Sequence, residues 1–201
     1  LFISYVYHEY GEYEKCRDLS FEIEQLAKET RTVFALGSSL ERRAMAEYGL
    51  GNLEEAKSNI EKSREILNIS LDSFYDIATV SHALITWGME DYSLFRSICN
   101  DLLSRDLSEG NYTCIIPGLE YSALEGARQG KFDIATQLFF NAQAIRNDLS
   151  TPIPKRRRKL FQDLVSNLKD NLSDENFTSA QNNLIDKQQL IDLAKEVVAE
   201  T

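Results

Sequence analysis

Proline occurs three times and glycine nine times in these 201 residues. So few turn formers, beside long stretches rich in Leu, Ala, Glu, Lys, Gln and Arg, argue against a sheet protein and for an all-helical one. The three cysteines, Cys16, Cys99 and Cys114, have neither an even count nor metal-ligand spacing. They read as reduced structural thiols, as in a cytoplasmic protein, and imply no metal. No run approaches the ~18 apolar residues of a membrane span, and no charged-then-apolar leader opens the chain, so no membrane is expected. Positive charge is short as well: 22 Lys and Arg face 32 Asp and Glu, a formal charge of −10. Such a balance repels a phosphate backbone, which disfavours direct nucleic-acid binding. Catalytic signatures are missing too: there is no phosphate-cradling Gly-x-x-x-x-Gly-Lys loop, no His-Glu-x-x-His helix and no Gly-x-Ser-x-Gly elbow. The two histidines, His8 and His82, lie far apart with no nucleophile paired to either in the sequence. The reading is a chain that is not an enzyme and needs no cofactor.

What the chain does contain is a repeated pair of amphipathic helices. Residues 119–149 show it best, with small Ala123, Ala135 and Ala142, aromatic Phe132 and Phe139, and Gly130 between the halves. A bulky residue opens the second helix of each pair at Tyr13, Leu53, Tyr92 and Phe132, at spacings of 40, 39 and 40. Before them stand Gly11-Glu12, Gly51-Asn52, Glu90-Asp91 and Gly130-Lys131, which place a helix end and turn in each pair. Three residues after them come Cys16, Ala56, Phe95 and Ala135, three of them small enough for close helix packing. This is a helix-turn-helix repeat of the tetratricopeptide (TPR) type, with a period longer than the usual 34 or so residues. The expected fold is all-α, a TPR-like right-handed superhelix of about four antiparallel helix pairs with a C-terminal helical cap. The pairs fall at about 1–30, 31–69, 70–106 and 111–149, and the cap at 151–201.

Details within the units carry further expectations. Cys16, Leu19, Ile23, Leu26 and Ala27 read as one stripe of the second helix. In the third unit Phe95 takes the small-residue position, Glu90 replaces the turn glycine and His82 stands where a leucine would pack, so a wider separation or a register shift is expected there. A loop at 106–111 follows. Pro152 and Pro154 stop the last repeat helix. Leu160, Phe161, Leu164, Val165, Leu168 and Leu172 then form a strong stripe, followed by a short helix near Ser173–Gln181 and a last one from about Lys187. Such helices cover the apolar face at a solenoid end. The run from Lys155 to Lys159 reads first as a solvated helix face, and next as a contact to an acidic patch of the same protein.

The tail, residues 138–196, resembles the carboxy-terminal end of the TPR region in large bacterial signalling proteins: LuxR-type and STAND-class ATPase transcriptional regulators, and kinases with TPR tails. The matching features are the small-residue helix from Ala142 to Arg146, the linker of Pro152 and Pro154, and Ser173 to Phe177. The resemblance implies a sensor or protein-interaction module that controls an effector domain upstream in a longer protein. The ligand would then be a protein or peptide, or that effector domain itself. A free-standing TPR adaptor is the other reading, and the oligomeric state is left open.

In TPR arrays the first helix of each pair lines the concave surface. That places Tyr5 and His8 in the groove from the first pair, Glu41, Met45 and Tyr48 from the second, Leu84 and Trp87 from the third, and Glu120, Leu124 and Arg128 from the fourth. Aromatic and arginine side chains most often dominate binding energy, which favours Tyr48, Trp87 and Arg128 as direct contacts. The alternative is that Tyr48 and Trp87 fill space between helices.

Overall fold

The computed structural model describes residues 1–68, 72–104 and 112–199. Among them are eleven helices and no strand: α1 (Phe2–Glu9), α2 (Tyr13–Thr30), α3 (Val33–Gly49), α4 (Leu53–Asn68), α5 (Asp72–Gly88), α6 (Tyr92–Leu103), α7 (Tyr112–Arg128), α8 (Phe132–Asp148), α9 (Lys155–Asn171), α10 (Asp174–Asn182) and α11 (Lys187–Val198). None is long and apolar enough to cross a membrane. The loop expected at 106–111 lies outside the described residues.

The repeat is visible in the backbone. Gly11, Gly51, Glu90 and Gly130 all adopt positive φ, at 78°, 83°, 59° and 77°. At each turn the same two hydrogen bonds close the helix end. In the first, Gly11 N–H donates to His8 O at 3.0 Å and Glu12 N–H to Tyr7 O at 2.9 Å; in the third, Glu90 donates to Trp87 O at 3.1 Å and Asp91 to Thr86 O at 3.0 Å. This is the Schellman arrangement, which satisfies helix carbonyls that would otherwise lack partners. The four positions that follow, Cys16, Ala56, Phe95 and Ala135, are all 0% exposed. Phe95 thus keeps the repeat's register despite its size, and the Trp87 ring lies against it at 4.9 Å between centroids.

Two compact units succeed one another, Leu1–Phe95 and Arg96–Thr201. In the first, α1 packs on α2, α2 on α3, α3 on α4 and α4 on α5, while the first helices of successive pairs also meet, α1 with α3 and α3 with α5. Close approach of α3 and α4 depends on Gly37, where an added Cβ would lie 2.5 Å from Leu67 Cγ. In the second unit α7 packs on α8, α9 touches both, α10 lies on α8 and α11 on α7. Phe161, Leu164 and Leu168 of α9 are buried, and Phe161 meets Phe139 of α8 at 5.4 Å between ring centroids. Ser173 and Asp186 cap α10 and α11 with their side chains.

Two expectations about helix faces need correction. On α2 the buried residues are Cys16, Ser20, Glu24 and Ala27, whereas Leu26 is 59% exposed. Glu24 can turn inward because Lys28 and Arg43 neutralise it, at 2.6 and 3.2 Å. The basic run is not uniformly solvated either. Arg157 is buried, and its Nη1 donates to Glu120 Oε2 at 3.3 Å.

Candidate functional site

Phe34, Ser38, Glu41 and Arg42 stand at steps of four, three and one along α3, which puts them on one face of the helix. That face borders a groove of about 290 Å³. Leu1, Phe2 and Tyr5 form one wall, and Leu67 of α4 and Ile77 of α5 complete the lining. The groove is therefore built where the first helices of three successive pairs stand side by side.

Its charges are mutually engaged. Glu41 is 3% exposed; its Oε2 pairs with Arg42 Nε at 2.8 Å, and its Oε1 accepts from Ser81 Oγ of α5 at 2.6 Å. The Arg42 guanidinium lies over the Tyr5 ring, 5.0 Å from its centroid. On two of these residues one polar atom each, Arg42 Nη1 and Ser38 Oγ, is shielded from solvent and has no hydrogen-bond partner among the described residues. Such atoms are uncommon in folded proteins and call for an explanation.

Of the residues expected in the groove, Tyr5 and Glu41 line it. The others do not. His8 is 3% exposed and faces the Tyr13 ring at 5.5 Å, while Met45, Leu84 and Leu124 belong to the core. Tyr48 lies over Gly88, where an added Cβ would meet its ring at 2.5 Å, so Tyr48 fills space between helices. Trp87 packs on Tyr92 and Phe95 of its own pair. Glu120 is 0% exposed and receives Arg146, Gln143 and Arg157, which makes it an internal anchor rather than a contact surface. Arg128 is held on Glu125 by two bonds of 2.7 Å. Of the helices selected by counting repeat spacing, α1, α3 and α5 contribute to this lining and α7 does not, while α4 adds Leu67. Phe34, Ser38 and Arg42 were missed, although their i, i+4, i+8 spacing on α3 was a readable sign of a shared face.

Burial and neighbouring charges shift several titratable groups elsewhere. His82 Nδ1 lies 2.9 Å from Arg64 Nη1, and burial together with the Arg64 charge lowers the imidazole to about 4. Burial lifts the Cys99 thiol well above its ordinary range. Burial alone would raise the Glu125 carboxyl, but hydrogen bonds from Arg128, Gln129 and Arg96 hold it below its ordinary value. Among the described residues no three His, Cys, Asp or Glu side chains are grouped to hold a metal ion.

Set against family models, curated proteins and solved structures, the chain matches none of them. The functional reading therefore rests on the site itself.

Proposed function

We propose that this chain is a non-catalytic, TPR-type protein- or peptide-binding module that regulates a larger bacterial signalling or transcription-regulator protein. One observation carries the reading: the first helices of three pairs, α1, α3 and α5, border a shared groove whose lining is mainly apolar and whose buried charges are already paired. A surface of that kind suits an apolar side chain of a partner better than a reacting substrate. A bound segment would favour one arrangement of the module over another and so bias an effector domain in the same natural protein. A free-standing adaptor would use the same groove without an effector.

Selection from a displayed peptide library tests the binding role. Peptides that bind should lose affinity when Tyr5→Ala or Phe34→Ala is introduced, with the circular dichroism spectrum unchanged. Peptides indifferent to both substitutions, or no peptides at all, would overturn the proposal.

A further inference from the structure

We propose that a second groove, between α8 and α9, binds a short acidic segment of a partner protein, seating one apolar side chain on its floor and a carboxylate two residues away on Arg158. It shares no lining residue with the groove of α1, α3 and α5, so the two sites stand or fall separately.

Arg158, Phe161, Gln162 and Val165 follow one another on α9 at steps of three, one and three, which keeps them on one face. That face and Phe139 of α8 border a hollow of about 340 Å³. Phe139 and Phe161, at 3% and 2% exposure, are its floor, while Arg158 and Gln162 are exposed at its lip. A more polar hollow of about 530 Å³ adjoins it, sharing Gln143, Ile153 and Arg158 and reaching past Asn147 to Ser150. From Phe139 to Asn147 the rise along α8 is about 12 Å, the length of about four extended residues. The side-chain amides of Asn147 and Gln162 can both donate and accept, as the backbone of such a segment requires.

Arg158 sets the charge of the ligand. Its Nε donates to Ile153 O at 3.3 Å, and Ile153 lines both hollows, so the guanidinium is tethered where they join. Neither Nη has a partner among the described residues, whereas Arg157 is held on Glu120 and Lys159 on Asp163. A guanidinium with both Nη groups available suits the two oxygens of a carboxylate. Residues 143–165 hold six basic and two acidic side chains. The net charge of −10 opposes an acidic ligand at long range, but salt screens it beyond about 8 Å, and at the lip the local cations prevail. Along α9, Arg158 precedes Phe161 and Val165 by about 4.5 and 10.5 Å. Side chains two apart in an extended segment point the same way and lie about 7 Å apart, so one reaches the floor while the other meets the guanidinium. The apolar floor favours a peptide over a phosphate backbone, which has nothing to place there.

A charge swap tests this. Random peptides displayed on phage are selected on the wild-type chain, resynthesised with both ends capped, and measured by fluorescence anisotropy on the wild type, on Arg158→Glu and on Tyr5→Ala. One selected class should carry Asp or Glu two positions from a large apolar residue. Its members should bind Arg158→Glu about tenfold more weakly, bind Tyr5→Ala unchanged, and weaken by a similar factor when the apolar residue is replaced by alanine. Lysine in place of the peptide's acidic residue should weaken binding to the wild type and restore it on Arg158→Glu, a rescue that loss of folding could not give. Absence of an acidic class, acidic peptides indifferent to Arg158→Glu, or no rescue by lysine overturns this inference alone. Acidic peptides that behave as expected, with no other peptide sensitive to Tyr5→Ala or Phe34→Ala, overturn the groove of α1, α3 and α5 and leave this one standing. A selection that returns no binder overturns both.

Discussion

Glu90 closes its helix in the left-handed region, at φ 59°, where three equivalent turns use glycine. A side chain there meets the following carbonyl and costs about 1–2 kcal/mol, part of which glycine gives back through the greater freedom of the unfolded chain. Glu90→Gly should accordingly stabilise the protein by roughly 0.5–1 kcal/mol, read from the urea midpoint. Arg31 and Ser150 hold φ of 54° and 53° at the ends of α2 and α8, so the same change there should act in the same direction. The turn at residue 90 was legible because its neighbours in the repeat contain glycine; its strain was not, because a sequence does not report a dihedral angle. His82 supplies the acid-side prediction. Its folded value of about 4 lies below its ordinary 6.5, so the unfolded chain binds its proton first as pH falls. Stability from this group is intact above pH 6.5 and declines between 6.5 and about 4, by up to ~3 kcal/mol. Urea titrations at pH 7.5 and 4.5 should show a smaller loss for His82→Leu than for the wild type, and equal losses would refute the assignment.

At the scale of elements, one apolar and one ionic contact stand out among those that hold α9 to the last pair. Phe161 of α9 lies against Phe139 of α8, and Phe161→Ala should cost about 3–5 kcal/mol. Glu120 of α7 receives Arg146 Nε of α8 at 2.5 Å and Arg157 Nη1 of α9 at 3.3 Å. Glu120→Ala strands two buried guanidinium groups and should destabilise by about 3–5 kcal/mol, whereas the exposed pair of Lys159 and Asp163 should contribute under about 1 kcal/mol. Chemical denaturation of the variants compares the two directly. The apolar stripe of α9 was legible, since its spacing alone marks Phe161, Leu164 and Leu168 as one face. Burial of Arg157 was not. A charged residue turns inward only where a partner waits, and this partner stands 37 residues earlier in the chain. The same reason put Glu24 inside and Leu26 outside on α2: Arg43, on the next helix, decides it.

At the scale of the whole molecule, helix number and turn positions could be read because each is set within a few residues, by a glycine, a small side chain and a period. The groove could not. It gathers residues from Leu1 to Ile77 on four helices, and its composition depends on rotations that a repeat period does not specify. Net charge is legible at any scale, and it leads to the last prediction. A chain carrying −10 repels nucleic acid unless a local basic surface overcomes that field. The basic run from Lys155 to Lys159 offers only a short surface of this kind. Arg157 is buried on Glu120, Lys159 pairs with Asp163, and Arg158 Nε donates to Ile153 O at 3.3 Å. With so few cations left to displace counterions, neither double- nor single-stranded DNA should shift in a gel at about 10 μM protein and physiological salt, where ordinary non-specific binders already bind. Retention with a steep salt dependence, abolished by replacing Lys155 and Arg158 with alanine, would show instead that the run is a phosphate-binding surface.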